Sequence, residues 1–152
     1  MEETNEKARE KTAVLKRGRL VAVLIVVALF VIGTVQTLTG SKGFVTAEVD
    51  DQRLGVCGTY GSPVFLELET ISDVQLADSF DFGVCIDGEE TGNTVSGTYS
   101  CEEYGEYAAH TYTSGPYIIV HSPGGVLVFN CGSKSLTEKM YDKLIEAAGT
   151  GK

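Results

Sequence analysis

Tryptophan is absent from this sequence of 152 residues, and histidine occurs only twice, as His110 and His121. Cations are scarce over most of the chain: beyond residue 19 there are 6 Lys or Arg against 17 Asp or Glu, a net charge of −11. That sign excludes a broad basic surface, and with it nucleic acid or anionic lipid headgroups held by charge. No Gly-x-Ser-x-Gly nucleophile turn occurs, and no Gly-rich stretch ends in the Lys-Ser/Thr of a phosphate loop. The four cysteines, Cys57, Cys85, Cys101 and Cys131, are spaced by 28, 16 and 30 residues. A zinc site usually shows a close Cys-x-x-Cys pair, which these lack. Catalytic, cofactor-binding and metal-binding constellations are therefore not expected.

Charge is also missing from one long run, Leu20 to Leu38, whose only polar residues are Thr34, Gln36 and Thr37 near its end. A hydrocarbon core about 30 Å thick needs about 20 apolar residues in a helix rising about 1.5 Å per residue. The run meets that length and predicts a single transmembrane helix over residues 20–39. Lys11, Lys16, Arg17 and Arg19 precede it, and Lys42 alone follows closely. Cations flanking a span stay on the cytoplasmic side, so residues 1–19 are expected inside and the remainder outside the cytoplasmic membrane. A cleaved signal peptide has a shorter apolar region and a small-x-small site, which Val35-Gln36-Thr37 does not offer. A pilin-like leader cut after Gly18 would want an aromatic or Met next and an acid four residues later. Arg19 and Val23 stand near those places. An uncleaved signal anchor is the expectation.

Residues 40–43 then read as a short linker, 44–148 as one extracytoplasmic domain, and 149–152 as a disordered tail. All four cysteines lie in that domain. An even count confined to an exported part suits two disulfides, with three pairings open and four reduced thiols as the alternative.

Short runs of β-branched and aromatic residues separated by turn residues predict a mainly β domain. Candidate strands are 44–49, 53–57, 64–69, 74–77, 84–86, 94–101, 104–112, 117–120 and 126–130. Their short turns suggest a meander in which sequential strands pair. Apolar residues at 136, 140, 141, 144 and 145 predict one closing helix over 135–147. Ser135 and Glu138 are placed for a capping box, and Gly149 for a stop.

Several constellations remain. A hairpin through Gly115-Pro116 would set His110 opposite about Ile119 and His121 opposite about Ala108, near neighbours with no acid or cysteine converging on them. Asp87-Gly88-Glu89-Glu90-Thr91-Gly92 partly mimics a calcium loop, yet position 12 falls on Thr98 instead of a bidentate Glu, so a polar hairpin turn is expected. Tyr99, Tyr104, Tyr107, Tyr112 and Tyr117 crowd the late strands, either as a peptide-binding face or as the edge of a core.

The strand-then-helix order, Ile71-Ser72-Asp73-Val74-Gln75-Leu76, the pair Gly97-Thr98-Tyr99 and Tyr104-Gly105-Glu106-Tyr107, and Tyr117–Val120 followed by Val126–Asn130 and the helix resemble small membrane-anchored bacterial pleckstrin-homology-like domains. The resemblance covers about residues 44–147. It implies a β-sandwich or partly open barrel closed by one C-terminal helix, and a non-enzymatic interaction or scaffold module with a protein or peptide partner. Phosphoinositide binding is not expected, because the first turn, Asp50-Asp51-Gln52, carries acids where the lipid-binding relatives are basic. A pilin-like or secretion-apparatus subunit, its apolar helix packed in an assembly, is the alternative.

Overall fold

The computed structural model describes residues 42–149. The basic tail and the expected span over 20–39 lie outside the described residues. No helix within the described residues is long and apolar enough to cross a membrane.

The described residues form nine strands and one α-helix. They are β1 (Val45–Val49), β2 (Arg53–Gly58), β3 (Val64–Glu67), β4 (Asp73–Ala77), β5 (Val84–Glu90), β6 (Thr94–Cys101), β7 (Gly105–Tyr112), β8 (Tyr117–Ser122), β9 (Gly125–Phe129) and α1 (Lys134–Ala148), with a 3-10 turn at Leu68–Thr70. The expected mainly β domain with one C-terminal helix is what forms. Strands β1-β2-β3 make one antiparallel sheet; the other six strands make a second, in the order β4-β8-β9-β7-β6-β5.

That order corrects the expected meander. β7 and β8 do not pair; β9 lies between them, parallel to β7 and antiparallel to β8. The reason lies in β8 and β9. Ile118, Ile119 and Val120, like Leu127, Val128 and Phe129, are buried without alternation. Runs apolar on both faces belong in the middle of a covered sheet, not at its margin. Two cores result. Val49, Leu54 and Val56 of the small sheet pack with Ile118, Val120, Leu127 and Phe129 and with Leu144 of α1. On the opposite face, Val95, Tyr99, Tyr107, Ala109, Tyr117, Ile119 and Val128 form a second cluster, against which Phe80 and Phe82 of the β4–β5 connection pack.

Asn130 stabilises the β7–β9 pairing at its end. Its buried Oδ1 accepts from Tyr112 N at 2.7 Å, and its Nδ2 donates to Tyr112 O at 3.2 Å and Ser114 O at 2.9 Å. Helix α1 is capped two residues before the expected position: Ser133, in extended conformation, accepts from Leu136 N at 3.3 Å, so Ser135 lies inside the helix. Gly149 ends α1 in the left-handed region with φ 65°, as its sequence position suggests. Lys143 Nζ donates to Val49 O at 2.6 Å and ties the helix to β1.

The expected linker 40–43 also needs correction at its end. Gly43 is buried, and its N–H and C=O bond the Asn93 side chain at 2.8 and 3.1 Å. A Cβ there would collide with the Thr94 and Thr59 hydroxyls. Gly43 thus belongs to the domain, where only a residue without a side chain fits.

Candidate functional site

The two histidines are separated rather than paired. His110 on β7 is opposite Ser96 on β6 and Phe129 on β9, and His121 on β8 is opposite Asp73 and Val126. The hairpin that would join them does not exist, so the facings expected with Ile119 and Ala108 are overturned. His110 is 2% exposed, and its Nδ1 lies 2.7 Å from Ser96 Oγ, which in turn donates to Tyr60 O at 3.1 Å. Burial lowers its pKa, and a backbone hydrogen bond at Ser62 opposes that shift. Ser96 and His110 thereby seat the Gly58–Pro63 loop on the large sheet. A cavity of about 420 Å³ lies under this loop, between Tyr60, Pro63, Asp87, Thr98, Ala108 and His110. His121 meets Tyr104 edge-on at 5.6 Å, while the Asp73 carboxylate opposite it accepts from Gln75 Nε2 at 2.7 Å.

The calcium-loop mimic is a strand. Asp87, Glu89 and Glu90 lie on β5, and the turn contracts to Thr91–Asn93. Asp87 Oδ1 accepts the Tyr60 hydroxyl at 2.8 Å, a bond that raises the Tyr60 pKa. Among the described residues no three His, Cys, Asp or Glu side chains are placed to hold a metal ion.

The expected disulfides do not form: Cys57, Cys85, Cys101 and Cys131 are all free thiols. Strand geometry separates them. Leu54 and Val56 face the core, so Cys57 faces the outer side of the small sheet by alternation. Cys85 stands opposite Tyr99, which makes Cys101 its diagonal neighbour. Diagonal pairs in a sheet are about 7–8 Å apart, beyond a disulfide's reach. Burial raises the Cys131 pKa, so its thiol form is favoured.

The tyrosines divide between the two alternatives. Tyr99, Tyr107 and Tyr117 are buried in the second core, and burial raises the pKa of all three. Tyr112 instead accepts a hydrogen bond from Val45 N–H on its hydroxyl oxygen at 3.3 Å. Tyr104 is only half-buried and stacks on Phe80 with centroids 5.9 Å apart and an interplanar angle of 6°. Together they wall a cleft of about 600 Å³ with Ala77 and Ile119, bordered by Asp81, Glu102 and Glu103. Burial, reinforced by a hydrogen bond with Glu103, pushes the Tyr104 pKa up to about 12. The cleft offers an aromatic floor and three carboxylates with no Lys or Arg in its lining, chemistry suited to a cationic group.

The tyrosines are evident in the sequence; this cleft is not. Phe80 and Phe82 lie in a segment that breaks the strand pattern, and only the fold shows that this segment lies against the β6–β7 end of the sheet. No protein-family model, curated protein or solved structure matches this chain.

Proposed function

We propose that this chain is a membrane-anchored, non-enzymatic interaction module that binds a basic segment of a partner protein. The observation that carries this reading is the cleft: Phe80 and Tyr104 present stacked ring faces, and Asp81, Glu102 and Glu103 surround them. Half-buried tyrosine and phenylalanine supply large, stiff contact area, and carboxylates beside ring faces favour Lys or Arg. The acidic balance of the domain draws such a partner and repels polyanions. The uncharged run Leu20–Leu38 and the cations before it support a single span with this domain outside the cytoplasmic membrane.

A pleckstrin-homology-like origin is supported by the Gly97-x-Tyr99 hairpin, Asn130 and the closing helix. The parallel β7–β9 pairing departs from the meander of that family. The interaction reading therefore rests on the cleft and not on descent.

A photo-crosslinking side chain at Glu103, with one at Lys139 on α1 as control, tests the cleft in native membranes. The expected outcome is a discrete protein adduct from position 103 that weakens in Phe80→Ala and at raised salt. Equal adducts from both positions, or none from 103, would contradict it.

A further inference from the structure

We infer that the free edge of β5 is a strand-addition site for an extended segment whose cations precede its apolar residues. This deepens the reading of the chain as a protein-binding module by naming how the partner docks. β5 is the last strand of the six-stranded sheet; it pairs only with β6, and among the described residues no strand pairs with its other edge. An uncovered edge presents unpaired backbone N–H and C=O groups, and proteins usually guard it with charged side chains, Pro or bulges. β5 contains no Lys, Arg or Pro; its guards are a bulge and acids, which deter a like-charged strand and not a cationic one. Its first half exposes Val84 at 68% and Ile86 at 53%, two of the most exposed large apolar side chains in the domain.

The second half carries Asp87, Glu89 and Glu90, all exposed. A bulge between Cys85 and Asp87 separates the two halves. The edge therefore has a polarity: apolar first, acidic second. That polarity selects the occupant. A second copy of this chain aligned parallel would set acids beside acids, and like charges opposite one another destabilise a pair; an antiparallel copy centred on the bulge would set Asp87 opposite Cys85 and leave Glu89 and Glu90 with no opposite charge to meet. A segment bearing Lys or Arg meets opposite charge instead. Antiparallel pairing, the more stable mode, sets the N-terminal half of that segment beside Glu89 and Glu90 and its C-terminal half beside Ile86 and Val84. Side chains on one face of the added strand would also point beside Asp87, which lines the cavity under the Gly58–Pro63 loop. Main-chain bonds would supply affinity, and the charge-then-apolar order would supply direction.

The test uses the full chain in phosphatidylcholine nanodiscs and two synthetic peptides, Lys-Thr-Arg-Thr-Val-Thr-Val and the same residues in reverse order. Affinity is read by fluorescence anisotropy and location by amide hydrogen exchange. The forward peptide is expected to bind at least tenfold tighter than the reverse one and to slow exchange within 84–90. The double variant Glu89→Lys/Glu90→Lys should lose at least tenfold in affinity, as should Ile86→Pro. The double variant changes only exposed side chains, so it answers the question even where Ile86→Pro disturbs the strand. Binding that slows exchange at 101–104 but not at 84–90 would overturn strand addition while leaving the cleft reading intact. Equal affinity for both peptides, or no binding of either, would also overturn it, whereas the Glu103 crosslink decides the broader function separately.

Discussion

Ser96 Oγ and His110 Nδ1 lie 2.7 Å apart on adjoining strands, and the backbone of Gly58 is pressed against both. A Cβ at residue 58 would fall 2.5 Å from His110 Nδ1 and closer still to Ser96 Oγ. Gly58→Ala should therefore push β2 away from β6 and β7 and cost about 1–3 kcal/mol, the range for overpacking. Chemical denaturation monitored by far-UV circular dichroism measures this. A variant as stable as the parent would mean that the contact is not close-packed.

The same histidine gives a pH dependence. Burial lowers its pKa, so as pH falls the unfolded chain takes up the imidazole proton before the folded chain does. Stability should be intact above the ordinary imidazole value of 6.5 and decline as the pH passes below it, with a slope from this group of at most about 1.4 kcal/mol per pH unit. His110→Gln, which cannot titrate, should flatten the decline between pH 6.5 and 5. Asp50 acts in a separate window. Hydrogen bonds from the Gln52 and Arg53 backbones lower its pKa from 3.8, so its contribution is present above that value and lost below it. An unchanged slope in His110→Gln would assign the decline to other groups.

Asn130 satisfies three backbone groups that would otherwise lack partners at the point where β7 ends and β9 leaves the sheet. Asn130→Ala should cost at least about 2 kcal/mol, because buried unpaired polar groups are penalised individually. Asn130→Asp should be at least as harmful: an ionised carboxylate can accept from Tyr112 N but donates nothing to the Tyr112 and Ser114 carbonyls. Equilibrium denaturation of the two variants provides the comparison, and loss in Ala with retention in Asp would contradict this assignment.

Much of the architecture is legible in the sequence because it follows local rules. Alternation in Val45–Val49 and Arg53–Gly58 marks a hairpin with one buried face, and the 136, 140, 144 stripe marks the helix. What is not legible is pairing order. The Thr113–Pro116 connection looks like a hairpin turn, while the information that β9 inserts beside β7 resides in unbroken apolar runs that a meander would leave half exposed. The strand within Asp87–Glu90 was hidden by its polarity: at an edge, acids are compatible with a strand and mimic a turn. The cysteines mislead because Cys57, Cys85 and Cys101 lie on three different strands and Cys131 lies between β9 and α1; an even count says nothing about distance. The cleft depends on the path of residues 78–83, which no periodicity encodes.

Phe80 packs against Phe82, Tyr104, Tyr107 and Tyr117 and so holds that path on the sheet. Phe80→Ala should cost about 3 kcal/mol or more where the ring is fully packed, and less here because it is half-buried. Amide exchange should accelerate over 78–83 with little change in α1. Uniform acceleration across the domain would show that this segment is not an independent cover.

The topology is tested most directly at Cys85, the one exposed residue among the four cysteines. A membrane-impermeant maleimide applied to intact cells after mild reduction should label the chain, and Cys85→Ser should remove most of that label, if the acidic domain lies outside the cytoplasmic membrane. Labelling that appears only after the cells are broken would contradict that topology.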